Sequence, residues 1–212
     1  MRYYQEMTLL PNPEVNIHFL WSKVLQQIHL GLVEMQNVDR HIPIGLGFPR
    51  YVLSEKGGYM GDRFRLFAPD ESALAQFDAV KWLSRLSDYV HCTGIRTVPE
   101  KLAGHAIYKR VQPKNNPERL ARRYAKRHNL DLDSALNGTV NLLAVGGDAG
   151  YPTEFRYCNM PKPELGLPYI RLKSLSGGQS FCLWIEKTSA AQPMAGGFSC
   201  YGLSTSATVP EF

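Results

Sequence analysis

Residues 2–35, RYYQEMTLLPNPEVNIHFLWSKVLQQIHLGLVEM, hold a strand, a helix start and a helix in that order. Arg2 to Leu10 alternates well enough for a half-buried strand. Asn12-Pro13-Glu14 then supplies a cap, a proline for the first helical turn and an acid at the positive end of the helix dipole. Ile17, Leu20, Trp21, Val24, Leu25, Ile28 and Leu32 recur every three or four residues, which predicts one apolar helix face from about Pro13 to Met35. Working outward, His41–Phe48 and Asp62–Ala68 read as two strands paired across the Gly57-Gly58 region. Asp70 caps a second helix through Leu74, Phe77, Val80 and Leu83, and Val90–Val98 returns as a strand that Pro99 stops. The order βαββαβ predicts a ferredoxin-like domain over residues 1–100, within an α+β chain. That arrangement hosts many functions and proves none.

The chain has 212 residues with 44% hydrophobic and 20% charged, values that fit a buried core and exclude a disordered or fibrous protein. No stretch approaches the roughly 18 apolar residues of a membrane span, and the start lacks the basic and apolar regions of a signal peptide. The expectation is a cytoplasmic protein without a membrane partner. Cys92, Cys158, Cys182 and Cys200 form no C-x-x-C pair, so neither a metal site nor a disulfide framework is expected of them, and no cofactor is implied. GFSCYG is not G-x-S-x-G, and GGDAG at 146–150 lacks the Lys-Ser/Thr of a phosphate loop.

Residues 101–212 form the second predicted domain, an α/β domain carrying an arginine-rich helix at about 117–129. Between Lys109 and His128 lie eight Lys or Arg and one acid, a net +7 within a chain whose total is +5. The excess positive charge is local, as at a polyanion site. Asn116-Pro117-Glu118 repeats the helix-start signature, and Arg119, Arg122, Arg123, Lys126 and Arg127 then fall at i, i+3, i+4, i+7 and i+8. Five cations share one face, with Leu120, Tyr124 and His128 on the other. A solvated face stitched by ion pairs is the plain alternative, but Glu118 is the one acid on this helix. The segment 131–168 reads mostly as a long loop. Tyr169–Lys173 and Gln179–Lys187 read as strands around a turn at Ser176-Gly177-Gly178, and Gly196–Leu203 as the closing strand.

Arg110-Val111-Gln112, Lys114, Asn116 to Leu120, Arg122-Arg123, Arg127-His128, GFSCYGLS at 197–204 and Val209-Pro210…Phe212 together resemble the CRISPR repeat-processing endoribonucleases of subtype I-F. The likeness runs from LPNPE to the last residue. It implies a ferredoxin-like domain joined to a domain with an arginine-rich helix, and metal-free cleavage of precursor RNA 3′ of a repeat hairpin. The attacking group would be the RNA's own 2′-hydroxyl, leaving 2′,3′-cyclic phosphate (or 3′-phosphate) and 5′-hydroxyl ends. The hairpin product would be retained within a type I-F surveillance complex, whose other subunits are the implied protein partners.

Carried over residue by residue, the resemblance places catalysis on His29, Ser174 and Tyr201. His29 would take the 2′-hydroxyl proton, a task for the side chain that exchanges protons near neutral pH. From pattern alone it reads equally as a packed histidine beside Ile28. Ser174 would hold the ribose, though a serine before Gly-Gly also serves to bond its own backbone. Ser176 stands two residues on as a second candidate for the ribose or phosphate. Tyr201 would position the histidine. For RNA binding, Arg110 and Gln112 match a pair that reads base edges low in the stem. Arg119, Arg122, Arg123, Lys126, Arg127 and His128 supply the groove-facing helix, and Phe181 matches an aromatic that stacks on the terminal base pair. An RNA-binding subunit without catalysis, holding the hairpin as a structural handle, is the alternative reading.

Overall fold

The structure is a computed structural model that describes residues 1–36, 42–55, 57–113, 117–142, 153–160, 165–174 and 177–212. Strand β1 (Tyr3–Leu9) leads to helix α1 (Ile17–Glu34) and then strand β2 (Gly45–Gly47). A small hairpin, β3 (Val52–Ser54) and β4 (Gly57–Tyr59), precedes β5 (Arg63–Ala68). Helices α2 (Glu71–Phe77) and α3 (Ala79–Trp82) follow, then β6 (Val90–Cys92) and β7 (Arg96–Thr97). The strands order as β2-β5-β1-β6, with β7 also on β1, and every described pairing is antiparallel. This is the expected βαββαβ topology, with α1 and the α2/α3 pair as its two crossovers.

Local chemistry moves several boundaries. The cap of α1 is Asn16, whose side chain accepts from the His18 N–H at 2.8 Å. Asn12 instead closes a turn before the helix, accepting from Glu14 N–H and Val15 N–H. The second helix breaks at Asp78, which adopts φ 49° and caps α3 by accepting from Lys81 N–H. Val80, expected inward, is exposed as a result. The strand expected over Val90–Val98 is two short pieces.

Strand β8 (Gly104–Val111) begins a second sheet, completed after an excursion of the chain by β11, β12 and β13. The excursion holds α4 (Pro117–His128), α5 (Leu132–Asn137), β9 (Val140–Leu142) and β10 (Thr153–Phe155). So the expected long loop contains a helix, capped by Asp131 through the Ser134 N–H at 2.8 Å, and a strand pair. Strands β11 (Tyr169–Lys173), β12 (Ser180–Ala190) and β13 (Val209–Glu211) then give the antiparallel order β11-β12-β8-β13. The closing strand is β13. Gly196–Leu203, expected as that strand, bends in a turn where Gly202 sits at φ 66° and its N–H reaches the Ser199 carbonyl at 2.7 Å.

The chain divides into two compact units, Met1–Val111 with Gly166–Phe212, and Gln112–Leu165. The division falls around the excursion and not near residue 100. In the larger unit both sheets share one core: Met7, Phe64 and Leu66 of the first sheet, Tyr108, Leu172, Leu183 and Ile185 of the second, and Leu25, Ile28 and Leu32 of α1. Each such side chain contributes about 1.5–3 kcal/mol by burial. Alternation along β11 and β12 turns Ile170, Leu172, Leu183 and Ile185 inward and leaves the intervening residues outside. Among the described residues, no helix is long and apolar enough to cross a membrane.

Candidate active site and nucleic-acid interface

Helix α1 buries Leu25, Ile28 and Leu32, and this anchors the turn that carries half-exposed His29. The His29 ring stacks on Tyr201 with centroids 4.1 Å apart and planes within 6°. Its Nδ1 lies 2.7 Å from the Cys200 carbonyl oxygen. A carbonyl only accepts, so this bond requires the proton on Nδ1 and leaves the lone pair of neutral imidazole on Nε2. The side chain is therefore held by a stack worth about 0.5–1.5 kcal/mol and by a hydrogen bond that sets its tautomer.

Both contacts come from the 199–203 turn, which the first sheet fixes. Leu46 N–H of β2 donates to the Gly202 carbonyl at 2.8 Å, and Ile42 and Phe198 form an isolated bridge. A Cβ on Gly202 would fall 2.1 Å from Leu46 Cδ1 and about as close as 3.2 Å to the Leu46 nitrogen, so glycine is required by both space and its positive φ. Sequence reading missed Cys200, because its contribution is a main-chain carbonyl that the side chain does not announce. The Cys-Tyr-Gly order was the available signal, since a turn glycine beside Tyr201 marks a bend and not a strand.

Arg110, near the end of β8, places its guanidinium 5.3 Å from the Phe181 ring centroid and 5.7 Å from that of Tyr201. One exposed cation thus bridges two aromatic faces at the edge of the histidine stack. Burial pushes the Tyr201 phenol up from its ordinary value, and Arg110 only partly opposes this. Burial likewise raises the Cys200 thiol, which leaves it a poor nucleophile.

Ser174 directly follows β11, and the alternation places it on the inner face with Ile170 and Leu172. Its N–H donates to the Gln179 carbonyl at 2.8 Å, and its hydroxyl oxygen accepts from Gly177 N–H at 3.2 Å. The turn-closing use of this serine is therefore present. Phe181 stands opposite Leu172 in the register. His29, Tyr201, Arg110 and Phe181 are linked by contacts into one cluster, and Ser174 shares the face of Phe181. Ser176, and with it the Lys114 and Asn116 of the basic motif, lie outside the described residues. Gln112 is exposed immediately after β8.

In the smaller unit, α4 exposes Arg119, Arg122, Arg123, Lys126, Arg127 and His128. Its buried stripe is Ala121 and Ala125, with Leu120 and Tyr124 half-buried beside it, and Tyr157 packs against the same cluster. The docking face is thus one residue further round than the expected Leu120, Tyr124 and His128. His128 is exposed and its ring lies 4.2 Å from that of Tyr124. Asn129 ends the helix at φ 52°, and Leu130 N–H returns to the Ala125 carbonyl at 3.0 Å. Arg122 pairs with Glu118 at 2.9 Å, an exposed i, i+4 pair worth only about 0.3–0.5 kcal/mol. That single acid cannot neutralise the ridge.

The family model described as CRISPR-associated protein (Cas_Csy4) matches residues 4–212. The chain is 34% identical over 216 residues to "CRISPR-associated endonuclease Cas6/Csy4" of Pseudomonas aeruginosa (strain UCBPP-PA14), covering 100% of both chains. It is 32% identical over 213 residues to the protein of the same description from Escherichia coli (strain UTI89 / UPEC), again covering 100% of both. Among solved structures it is similar to "An RAMP protein binding different RNA substrates", with TM-score 0.32, 9% identity and 99% of each chain covered. It is also similar to "CRISPR associated protein Cas6", with TM-score 0.29 and 12% identity over 90% of this chain and 88% of the other.

Proposed function

We propose, on the premise that the chain belongs to the CRISPR-associated Csy4 family, that it is an endoribonuclease that cuts CRISPR precursor RNA 3′ of the repeat hairpin. The observation that carries this reading is the held tautomer of His29, with Nδ1 on the Cys200 carbonyl and the ring stacked on Tyr201. Such a histidine presents Nε2 as a base. In the proposed reaction, needing no metal, Nε2 takes the 2′-hydroxyl proton and the 2′-oxygen bonds to the adjacent phosphorus. The bond from phosphorus to the 5′-oxygen breaks, and that oxygen is protonated. The products are a 2′,3′-cyclic phosphate and a 5′-hydroxyl.

Ser174 positions the ribose, and Phe181 offers a ring face to the last base pair of the stem. Arg110 and Gln112 meet base edges beside the cut, and Arg119, Arg122, Arg123, Lys126 and Arg127 meet stem phosphates, with His128 at the end of the ridge. Ser176 is a further ribose or phosphate contact in this scheme. Contacts to phosphates distant from the cut hold substrate and product alike, so the protein retains its hairpin product and serves a type I-F surveillance complex as a subunit. Expression with the cognate repeat array, followed by recovery of copurifying RNA, tests this. A single short species ending after a hairpin with a cyclic or 3′-phosphate supports it, whereas uncut precursor on the protein moves the function to hairpin binding alone.

A further inference from the structure

The inner face of the β11-β12-β8 sheet is buried on α1, but its outer face is open. There Tyr169 stands opposite Trp184 in the register, with ring centroids 4.5 Å apart at 47°, and Tyr169 is 42% exposed. Along the same face of β11, Arg171 lies opposite Cys182 and Lys173 opposite Ser180, both cations exposed. Among the described residues neither makes an ion pair, while Glu186, the one carboxylate on the outer face of these three strands, is engaged by Lys109 at 2.6 Å. The edge strand therefore presents a row of two unneutralised cations and an aromatic pair. Strand geometry spaces Arg171 and Lys173 by about 7 Å, a step suited to successive phosphates, and the ring pair lies one further step along.

The row begins beside the candidate active site, because Ser174 is the residue after Lys173. We propose that the outer face of β11 and β12 binds the single-stranded RNA that continues 3′ of the cut. Lys173 and Arg171 hold its first phosphates, and Tyr169 with Trp184 stacks a base. The inference rests on the endoribonuclease reading, in which the strand leaving the scissile phosphate is still attached when the precursor binds. Cations along a backbone with aromatics for the bases are the general means of holding a single strand whatever its sequence. An aromatic pair with free cations on an open antiparallel sheet has no need of that composition for folding, since its inward residues already supply the core.

The test uses the full chain in a His29→Ala background, so that bound RNA stays uncut. Affinity is measured across salt for three RNAs: the hairpin ending at the cut, the hairpin extended by several nucleotides at its 3′ end, and the hairpin extended at its 5′ end. Arg171→Gln with Lys173→Gln is expected to leave affinity for the bare hairpin within about twofold. It should weaken binding of the 3′-extended RNA about tenfold and lower its salt slope by about 1.4, the value for two single-strand phosphates. Tyr169→Ala, which removes only the ring, should weaken the 3′-extended RNA alone, by about fivefold or more. Equal losses for all three RNAs, a loss confined to the 5′-extended RNA, or no loss would each overturn the inference. If the His29→Ala protein with its outer face intact binds none of them, the hairpin reading itself fails first.

Discussion

Truncating His29 to alanine removes the nitrogen that the proposed mechanism uses, yet it leaves in place every cation proposed to meet RNA. Single-turnover cleavage of a cognate hairpin should fall by roughly 10²–10⁴-fold, the range for loss of a general base. Hairpin affinity should stay within about twofold, since a truncation confined to the reacting centre takes little ground-state binding with it. Equal loss of binding and cleavage would make His29 a structural residue. The ambiguity of this histidine in the sequence has a physical origin. A residue next to Ile28 on an amphipathic helix sits at the rim of the core whether it catalyses or only packs. What separates the two is the carbonyl of Cys200, 171 positions away in the chain. Tyr201 and Phe181 were placed by resemblance, and the structure adds that Arg110 joins them. No spacing rule announces a cation shared by one ring on a strand and another in a distant turn.

At the scale of elements, helix α4 was legible because its signal is local. The start Pro117-Glu118 and cations at i, i+3, i+4, i+7 and i+8 need no distant partner to be read. Its docking stripe was misplaced by one residue because alanine carries little hydrophobic weight in a pattern, while Ala121 and Ala125 are what allow close approach. Arg123→Ala should weaken hairpin binding and lower the salt slope by about 1, checked by titration at several salt concentrations. An unchanged slope would remove this helix from the phosphate contacts. The 199–203 turn was illegible for the opposite reason. Phe198 to Leu203 is apolar enough for a strand, and only the seat of Gly202 against Leu46 turns it into a bend. Gly202→Ala should cost about 1–3 kcal/mol of stability by overpacking and slow cleavage more than it weakens hairpin binding, because the turn carries both His29 contacts. Calorimetry and single-turnover kinetics on the same variant check this, and a variant with wild-type kinetics would show that the turn's position is not needed.

Across the whole larger unit, the first-half topology was readable because both crossovers carry local helix signals between their strands, α1 by its periodic apolar face and the broken α2/α3 pair by its Asp70 start. The way β8 leaves for the excursion and then pairs with β12 and β13 was not, because such pairing depends on contacts far apart in sequence. Tyr108 is one of the groups that join these parts, its hydroxyl sharing its one proton between the Phe48 carbonyl and a Glu211 carboxylate oxygen, at 3.1 and 3.2 Å. Burial, and after it the Glu211 carboxylate, raises this phenol far above the ordinary tyrosine range. The unfolded chain then loses the proton first. The stability that neutral Tyr108 contributes is thus fully present below the unfolded pKa of about 10 and declines as pH rises beyond it. Melting temperature should fall more steeply above about pH 10 for the parent protein than for Tyr108→Phe, although that variant is less stable at neutral pH. Parallel curves for the two proteins would mean that Tyr108 does not set the alkaline limb.

In the proposed reaction the RNA's own 2′-hydroxyl attacks, with His29 as the base. The most direct measurement compares two synthetic repeat hairpins extended past the cut, identical except that one carries a 2′-deoxy sugar on the 5′ side of the scissile phosphate. Each is incubated with the protein in chelator and the ends of any product are identified by mass. The expected result is equal binding, cleavage of the all-ribose RNA to a 2′,3′-cyclic phosphate and a 5′-hydroxyl, and no cleavage of the deoxy RNA. Cleavage of the deoxy RNA, or products bearing 3′-hydroxyl and 5′-phosphate ends, would contradict it.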